Sequence, residues 1–171
     1  MSGHILAKLF EHNNWANLQI IQACSSLSDE QLDAEPQSAT KGSIRRTLFH
    51  LVTAQQGYLL LLTLPLEERL EPVAAPPFDE LARFASSSGE ALLALSRDES
   101  SITVIGQLQT RDGYFVEPWV LMVQIINHAT EHREQIKSML SALGLTPPAI
   151  DGWDYGEFTN ALVPVDKDNK G

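Results

Sequence analysis

His128 and His132 stand four residues apart in the C-terminal part of a 171-residue chain. On a helix this spacing projects both imidazoles from one face, about one turn apart, where they can bind a single metal ion. The row continues through Leu121, Ile125, Ile136, Met139 and Leu143 in steps of three and four, so the pair is expected within a stripe that faces a core. A buried imidazole needs partners for its ring nitrogens, and two stacked ones need them twice. One cation satisfies both rings. A hydrogen bond from each ring to a neighbour is the alternative, and it is the commoner fate of a lone core histidine. Spacing alone does not decide between them.

A third ligand must come from the remaining histidines, His4, His12 and His50. His4 is near a chain end. His12 adjoins Asn13 on the first predicted helix and could point inward. His50 has Ala54 and Gly57 one and two turns along, small residues that leave room for a cofactor or a close helix. It lies off the centre of its helix's apolar stripe, and periodicity leaves His12 and His50 both open. Glu131, Asp151 and Asp154 are the carboxylates to consider as general bases or as partners of a ligand, although solvated or capping roles are commoner for each. Tyr58, two turns beyond His50, reads as a core aromatic, as do Trp15 and Trp119, and Cys24 reads as a small buried hydrophobe. The glutamate in His128-Ala129-Thr130-Glu131-His132 is misplaced for a metallopeptidase. The sequence has no phosphate-cradling glycine loop, nucleotide fingerprint or Ser-His-Asp order.

The elements that must position these residues are helical. The first is predicted from Gly3 to Cys24, with Leu6, Leu9, Phe10, Ala16, Ile20 and Cys24 on its apolar face and Asn13 and Asn17 on or beside it. Ser28-Asp29-Glu30-Gln31 has the form of a capping box and predicts a short helical turn that stops near Pro36. A second long helix is predicted from Ser43 to Leu64, with a stripe of Ile44, Leu48, Leu51, Gln55, Leu59 and Leu62, ended by Pro65. Leu66 to Pro77, with Pro72 and Pro76, reads as a connection. A third helix follows from near Pro77 through Phe78, Leu81, Phe84, Ala85, Leu92 and Leu95, despite the poor helix formers Ser86-Ser87-Ser88-Gly89. Ile102 to Val116 breaks the pattern: Ile102 and Val104 alternate with polar positions, and Asp112-Gly113 signals a hairpin. The last helix runs from Pro118 to just before Gly144, and Trp153, Tyr155 and Phe158 beyond it could dock on the bundle. The expected fold is all-α: a four-helix bundle with a short β-hairpin-like excursion before the last long helix, one domain over residues 1–162 and a flexible tail over 163–171.

Composition narrows the function classes. With 43% hydrophobic and 20% charged residues the chain has the balance of a globular protein. No apolar run reaches the ~18 residues of a membrane span. The formal net charge of -10 repels phosphate backbones, so no nucleic-acid partner is expected, and Arg45-Arg46 with Lys41 is the nearest approach to a basic patch. The opening residues lack the form of a signal peptide, and a single cysteine allows no internal disulfide, so a cytoplasmic location is expected.

Three segments carry a family resemblance: Asn14-Trp15-Ala16-Asn17; Gly42-Ser43-Ile44 with Thr47-Leu48-Phe49-His50-Leu51-Val52; and Asn127-His128-Ala129-Thr130-Glu131-His132-Arg133-Glu134-Gln135-Ile136. In order and spacing the chain resembles the DinB family, the DinB/YfiT-like metalloenzymes. The resemblance implies a bundle of four helices, a homodimer, and metal ligands at His50, His128 and His132. Three neutral imidazoles leave coordination positions open, the arrangement of catalytic sites. The divalent ion is expected among zinc, nickel, iron and manganese, since imidazole suits several transition metals. Characterised members include S-transferases and isomerases that use low-molecular-weight thiols. The resemblance therefore implies a metal-dependent enzyme acting on a small molecule, with such a thiol as cofactor. A metal-dependent hydrolase and a non-catalytic metal-binding stress-response protein are the alternatives. This chain has Glu131 where many members have a histidine, and Glu134 where many have a glycine. Neither change removes a ligand. Glu131, three residues after His128, is expected to border the site and is the candidate catalytic residue, whereas Glu134 is expected to face solvent.

Overall fold

Each long amphipathic segment becomes a helix whose ends are set by local caps. The computed structural model describes residues 2–36, 42–69, 73–98 and 107–165, and for residues 2–4 the backbone alone. α1 spans Ser2–Cys24. α2 is the short Asp29–Asp33, opened by the Ser28/Gln31 capping box. α3 spans Ile44–Thr63: the Ser43 side chain caps its start by accepting the Arg46 N–H, and Pro65 follows its end. Single 3-10 turns occupy Leu66–Glu68 and Phe78–Glu80. α4 is Leu81–Arg97, β1 Leu108–Gln109, β2 Phe115–Val116, α5 Pro118–Ala142 and α6 Gly152–Phe158. Gly144, with φ of 73°, takes the left-handed conformation that stops α5.

The four long helices form a ring. α1 packs on α4 and α5, and α3 packs on the same two, so α1 lies diagonally across from α3 and α4 from α5. The middle of α4, weak in helix formers, stays helical because of its packing. Ser88 Oγ donates back to the Phe84 carbonyl at 2.9 Å, and a Cβ on Gly89 would stand 2.5 Å from Asn14 Oδ1, so the missing side chain lets α1 come close. β1 and β2 pair antiparallel, Leu108 with Val116 and Gln109 with Phe115, around the turn at Asp112-Gly113. The predicted strand positions Ile102 and Val104 lie outside the described residues, as do Lys41, Pro72 and residues 166–171 of the tail.

The core has two apolar clusters with a polar layer between them. One contains Ile20, Leu48, Leu51, Leu81, Ile136 and Met139; the other contains Phe10, Leu62, Leu92, Leu121 and Ile125. On every long helix the residue between the clusters is polar and buried: Asn13 and Asn17 on α1, Gln55 on α3, Ser88 on α4 and Arg133 on α5. Arg133 donates to Asn13 Oδ1 at 2.8 Å, Asn17 Oδ1 at 2.6 Å and Thr130 Oγ1 at 3.0 Å. Asn17 Nδ2 donates to Gln55 Oε1 at 2.9 Å, and Gln55 Nε2 donates to Ser88 Oγ at 2.7 Å and the Ala85 carbonyl at 2.9 Å. Thus one network ties all four helices at one level. Burial draws the Arg133 guanidinium down to about 10, which leaves it charged at neutral pH.

Several expectations need correction. Leu9 is exposed. Trp119 is 64% exposed and is not a core residue, because it lies on the outer face of α5. Of the aromatic residues after α5, Tyr155 and Phe158 pack on Trp15, with centroids 5.3 and 5.5 Å apart, whereas Trp153 is exposed. They ride on α6, a helix the sequence reading left out. The arginines of the basic patch are paired: Arg45 with Asp33 and Asp29, and Arg46 with Glu35.

Candidate metal centre

α3 and α5 are neighbours in the ring, and their shared seam brings the histidines together. Buried Leu48 and Leu51 fix the rotation of α3, which places His50 at the solvent edge of the seam. On α5, buried Ile125, Ala129 and Ile136 do the same for His128 and His132. The Nε2 atoms of His50 and His128 lie 3.0 Å apart, and those of His128 and His132 3.1 Å apart. The three ring centroids are separated by 4.9, 4.7 and 4.3 Å. One ligand atom from each ring falls within 4.8 Å of the others, so this group could hold a metal ion. Tetrahedral zinc with nitrogen bonds of ~2.05 Å would set its ligand nitrogens ~3.3 Å apart, close to the His50–His128 and His128–His132 separations.

Protonation chemistry favours a cation in this arrangement. The Nδ1–H of His132 donates to Gln135 Oε1 at 2.7 Å, which leaves a lone pair on Nε2 of the neutral ring. His128 Nε2 faces both other Nε2 atoms. If it carries a proton it can donate to His132, and it then has no lone pair to offer His50. A cation held between the three rings would accept a lone pair from each. The donor set therefore fits a divalent ion of borderline softness.

The histidines are graded in exposure: His50 is exposed, His128 half-buried and His132 buried, 2% exposed. The expectation that the α5 stripe faces the core holds for His132 and only in part for His128, which is half-buried although Ile125 before it and His132 after it are buried. His12 is not at this centre. Its Nε2 lies 3.0 Å from the Ile150 carbonyl, and its ring packs against Trp15 and Tyr155. Asp151 and Asp154 form the capping box of α6, and the backbone N–H groups of Asp154 and Trp153 hold the Asp151 carboxyl below its usual range. Glu131 is exposed, and Glu134 is exposed and pairs with Lys137.

Two residues near the centre were not given a role by sequence reasoning. Gln135 follows His132 by three positions, the spacing at which one side chain can orient the next, and this was the available signal. Tyr58 is half-buried rather than core. Its ring stands edge-on to His128 with centroids 5.7 Å apart.

The fold and the site together define a helical bundle with a three-histidine group that could hold a metal ion, open to solvent on one side. The DinB family model matches residues 1–167, and the chain belongs to the DinB family. It is similar to "Protein DinB" of Bacillus subtilis (strain 168), with 27% identity over 161 residues, covering 88% of this chain and 91% of that protein. Among the described residues, no helix is long and apolar enough to cross a membrane.

Proposed function

We propose that the chain is a metal-dependent enzyme that holds a divalent cation on His50, His128 and His132 and acts on a small molecule, as a thiol-dependent S-transferase. The observation that carries this reading is the cluster of three imidazoles, each offering one ring nitrogen within 4.8 Å of the others, with His50 exposed to solvent. A cation there supplies positive charge that lowers the pKa of a thiol or water on the open side, or polarises a carbonyl. The chain's own groups do the rest. Gln135 fixes the tautomer of His132, the edge of Tyr58 holds the His128 ring, and the Arg133 layer fixes α5 against the other helices behind them. Glu131, next to His132 in sequence and exposed, is the candidate for moving a proton at the mouth of the site.

The rest of the reading concerns setting. It comprises one domain over residues 1–162, a cytoplasmic location and a homodimer. The dimer reading is compatible with the exposed apolar side chains of Trp119, Val120 and Val123 on α5 and of Tyr114 and Phe115 in the hairpin, which a second copy could cover.

Elemental analysis of the purified protein beside His50→Ala, His128→Ala and His132→Ala tests the site. Near-stoichiometric zinc, nickel, iron or manganese in the parent and its loss in all three variants are expected, and background metal in the parent refutes the reading. Turnover of an electrophile that depends on glutathione, bacillithiol or mycothiol separates the transferase from a hydrolase, which would instead act on ester or amide panels. Inactivity of the loaded protein in both assays would favour a non-catalytic stress-response role.

A further inference from the structure

The two histidine rows run on in the same direction along the seam. On α3, His50, Ala54, Gly57 and Leu61 recur at helical spacing, and on α5 so do His128, Ile125 and Leu121. Gly57, Leu61 and Leu121 line a cavity of about 430 Å³. Seven residues separate His50 from Gly57 and His128 from Leu121. That is roughly 10 Å of helix at 1.5 Å per residue. Tyr58 belongs to both places, since it packs on His128 and lines the same cavity.

The cavity walls are mainly apolar, and the charged members among the described residues are Arg69, Arg111 and Asp112. Arg69 is anchored by donating to the carbonyls of Leu64 at 3.0 Å, Gln109 at 2.5 Å and Leu61 at 3.4 Å. Arg111 donates to the backbone carbonyl of Arg69, and both arginines line the cavity with Asp112. Partial burial and the charge of Arg111 both draw Arg69 below its ordinary value, opposed by Glu67.

We propose that this cavity binds the far end of the substrate: an elongated small molecule whose reacting atom lies at the histidines, whose apolar body follows the α3–α5 seam past Tyr58, and whose anionic end group meets Arg69 and Arg111. This deepens the metal-enzyme reading and rests on it for the position of the reacting atom. The span of ~10 Å sets the ligand length. Apolar walls with a few placed charges are the common form of a small-molecule site.

Gly57 provides a direct test. Among the described residues, a Cβ added there would meet Val73 Cγ2 alone, at 3.9 Å, an ordinary contact, so a larger side chain has the cavity to enter. Octanoate serves as probe for the protein as purified, followed by calorimetry. Saturable binding is expected, weakened about tenfold or more by Gly57→Leu and Gly57→Phe and kept by Gly57→Ala. Arg111→Gln should weaken octanoate and leave 1-octanol unchanged, and it carries the test if the bulky variants lose helix content. Equal octanoate binding by the parent, Gly57→Phe and Arg111→Gln overturns the proposal. A second arm loads the protein with cobalt and follows the thiolate-to-cobalt absorption band with mercaptocarboxylates of increasing length. Affinity is expected to peak at 8-mercaptooctanoate, which spans about the required distance, and Gly57→Phe should abolish the peak. A band that forms without regard to length or to Gly57 sinks the cavity proposal alone. No cobalt uptake, with octanoate binding still sensitive to Gly57, sinks the metal reading and leaves the cavity standing.

Discussion

Asn17→Leu probes the polar layer that divides the core. Leucine keeps the forked shape of asparagine and is the bulkier of the two, so no cavity is created, and the main change is in hydrogen bonding. Asn17 accepts from Arg133 Nη1 at 2.6 Å and donates to Gln55 Oε1 at 2.9 Å. Losing a hydrogen bond to a charged donor costs about 1.5–3 kcal/mol, and leaving the Gln55 oxygen dry adds about 1–3 kcal/mol. Burial of the leucine itself returns about 1.5–3 kcal/mol. The net loss is about 2 kcal/mol, which lowers the urea midpoint by about 1 M for a slope near 2 kcal/mol/M. The measurement is urea denaturation followed by circular dichroism, at unchanged slope. The double variant with Gln55→Leu should cost less than the sum of the single variants by about 1 kcal/mol, because the two share a bond. An unchanged midpoint for Asn17→Leu, or strict additivity with Gln55→Leu, would refute the view that Asn17 and Gln55 depend on one another within the layer.

Gln135→Leu removes the acceptor that fixes the His132 tautomer. Cation affinity, read by competition with a chromogenic chelator, should fall about 10–100-fold with little change in the melting temperature. Glu131→Gln should lower kcat about 100-fold at unchanged metal content, and a change of a few-fold only would remove Glu131 from the chemistry. Burial pushes the Cys24 thiol from 9.0 up to about 12. Its folded pKa is the higher one, so the folded chain holds a proton that the unfolded chain has lost, and stability falls as pH rises from about 9 towards 12. A disulfide reagent at pH 8 should find Cys24 unreactive in the native protein and reactive in denaturant.

What could be read from the sequence was what is decided locally. The bounds of α3 follow from Ser43 and Pro65, those of α2 from its capping box, and the end of α5 from Gly144, each within a few residues of the element it controls. The pairing of His128 with His132 is also local, set by one helical turn. The third partner was not. His50 and His12 were equal by periodicity, and only the family resemblance pointed to His50. The ring order of the helices, which puts α3 and α5 side by side, is the physical reason for the choice. Long-range placement also explains the misses. Arg133 sits one residue from a candidate ligand and looks like a surface cation until Asn13 and Asn17 arrive from a helix more than a hundred residues earlier. Trp119 has the side chain of a core residue on a face that no described element covers. Tyr58 reads as core because two turns along α3 say nothing about how close α5 will lie.

The graded exposure of the three imidazoles bears on how an ion enters and leaves. A cation arriving from solution would meet the ring of His50 at the surface first and His132, whose back is held by the bundle, last. Capture on this group would exchange hydration water for nitrogen with the protein folded throughout, and a chelator would withdraw the ion from the same exposed side. The melting temperature of such a protein would rise with added metal, yet the emptied chain would keep its helices, since the apolar clusters and the Arg133 layer hold them together without it.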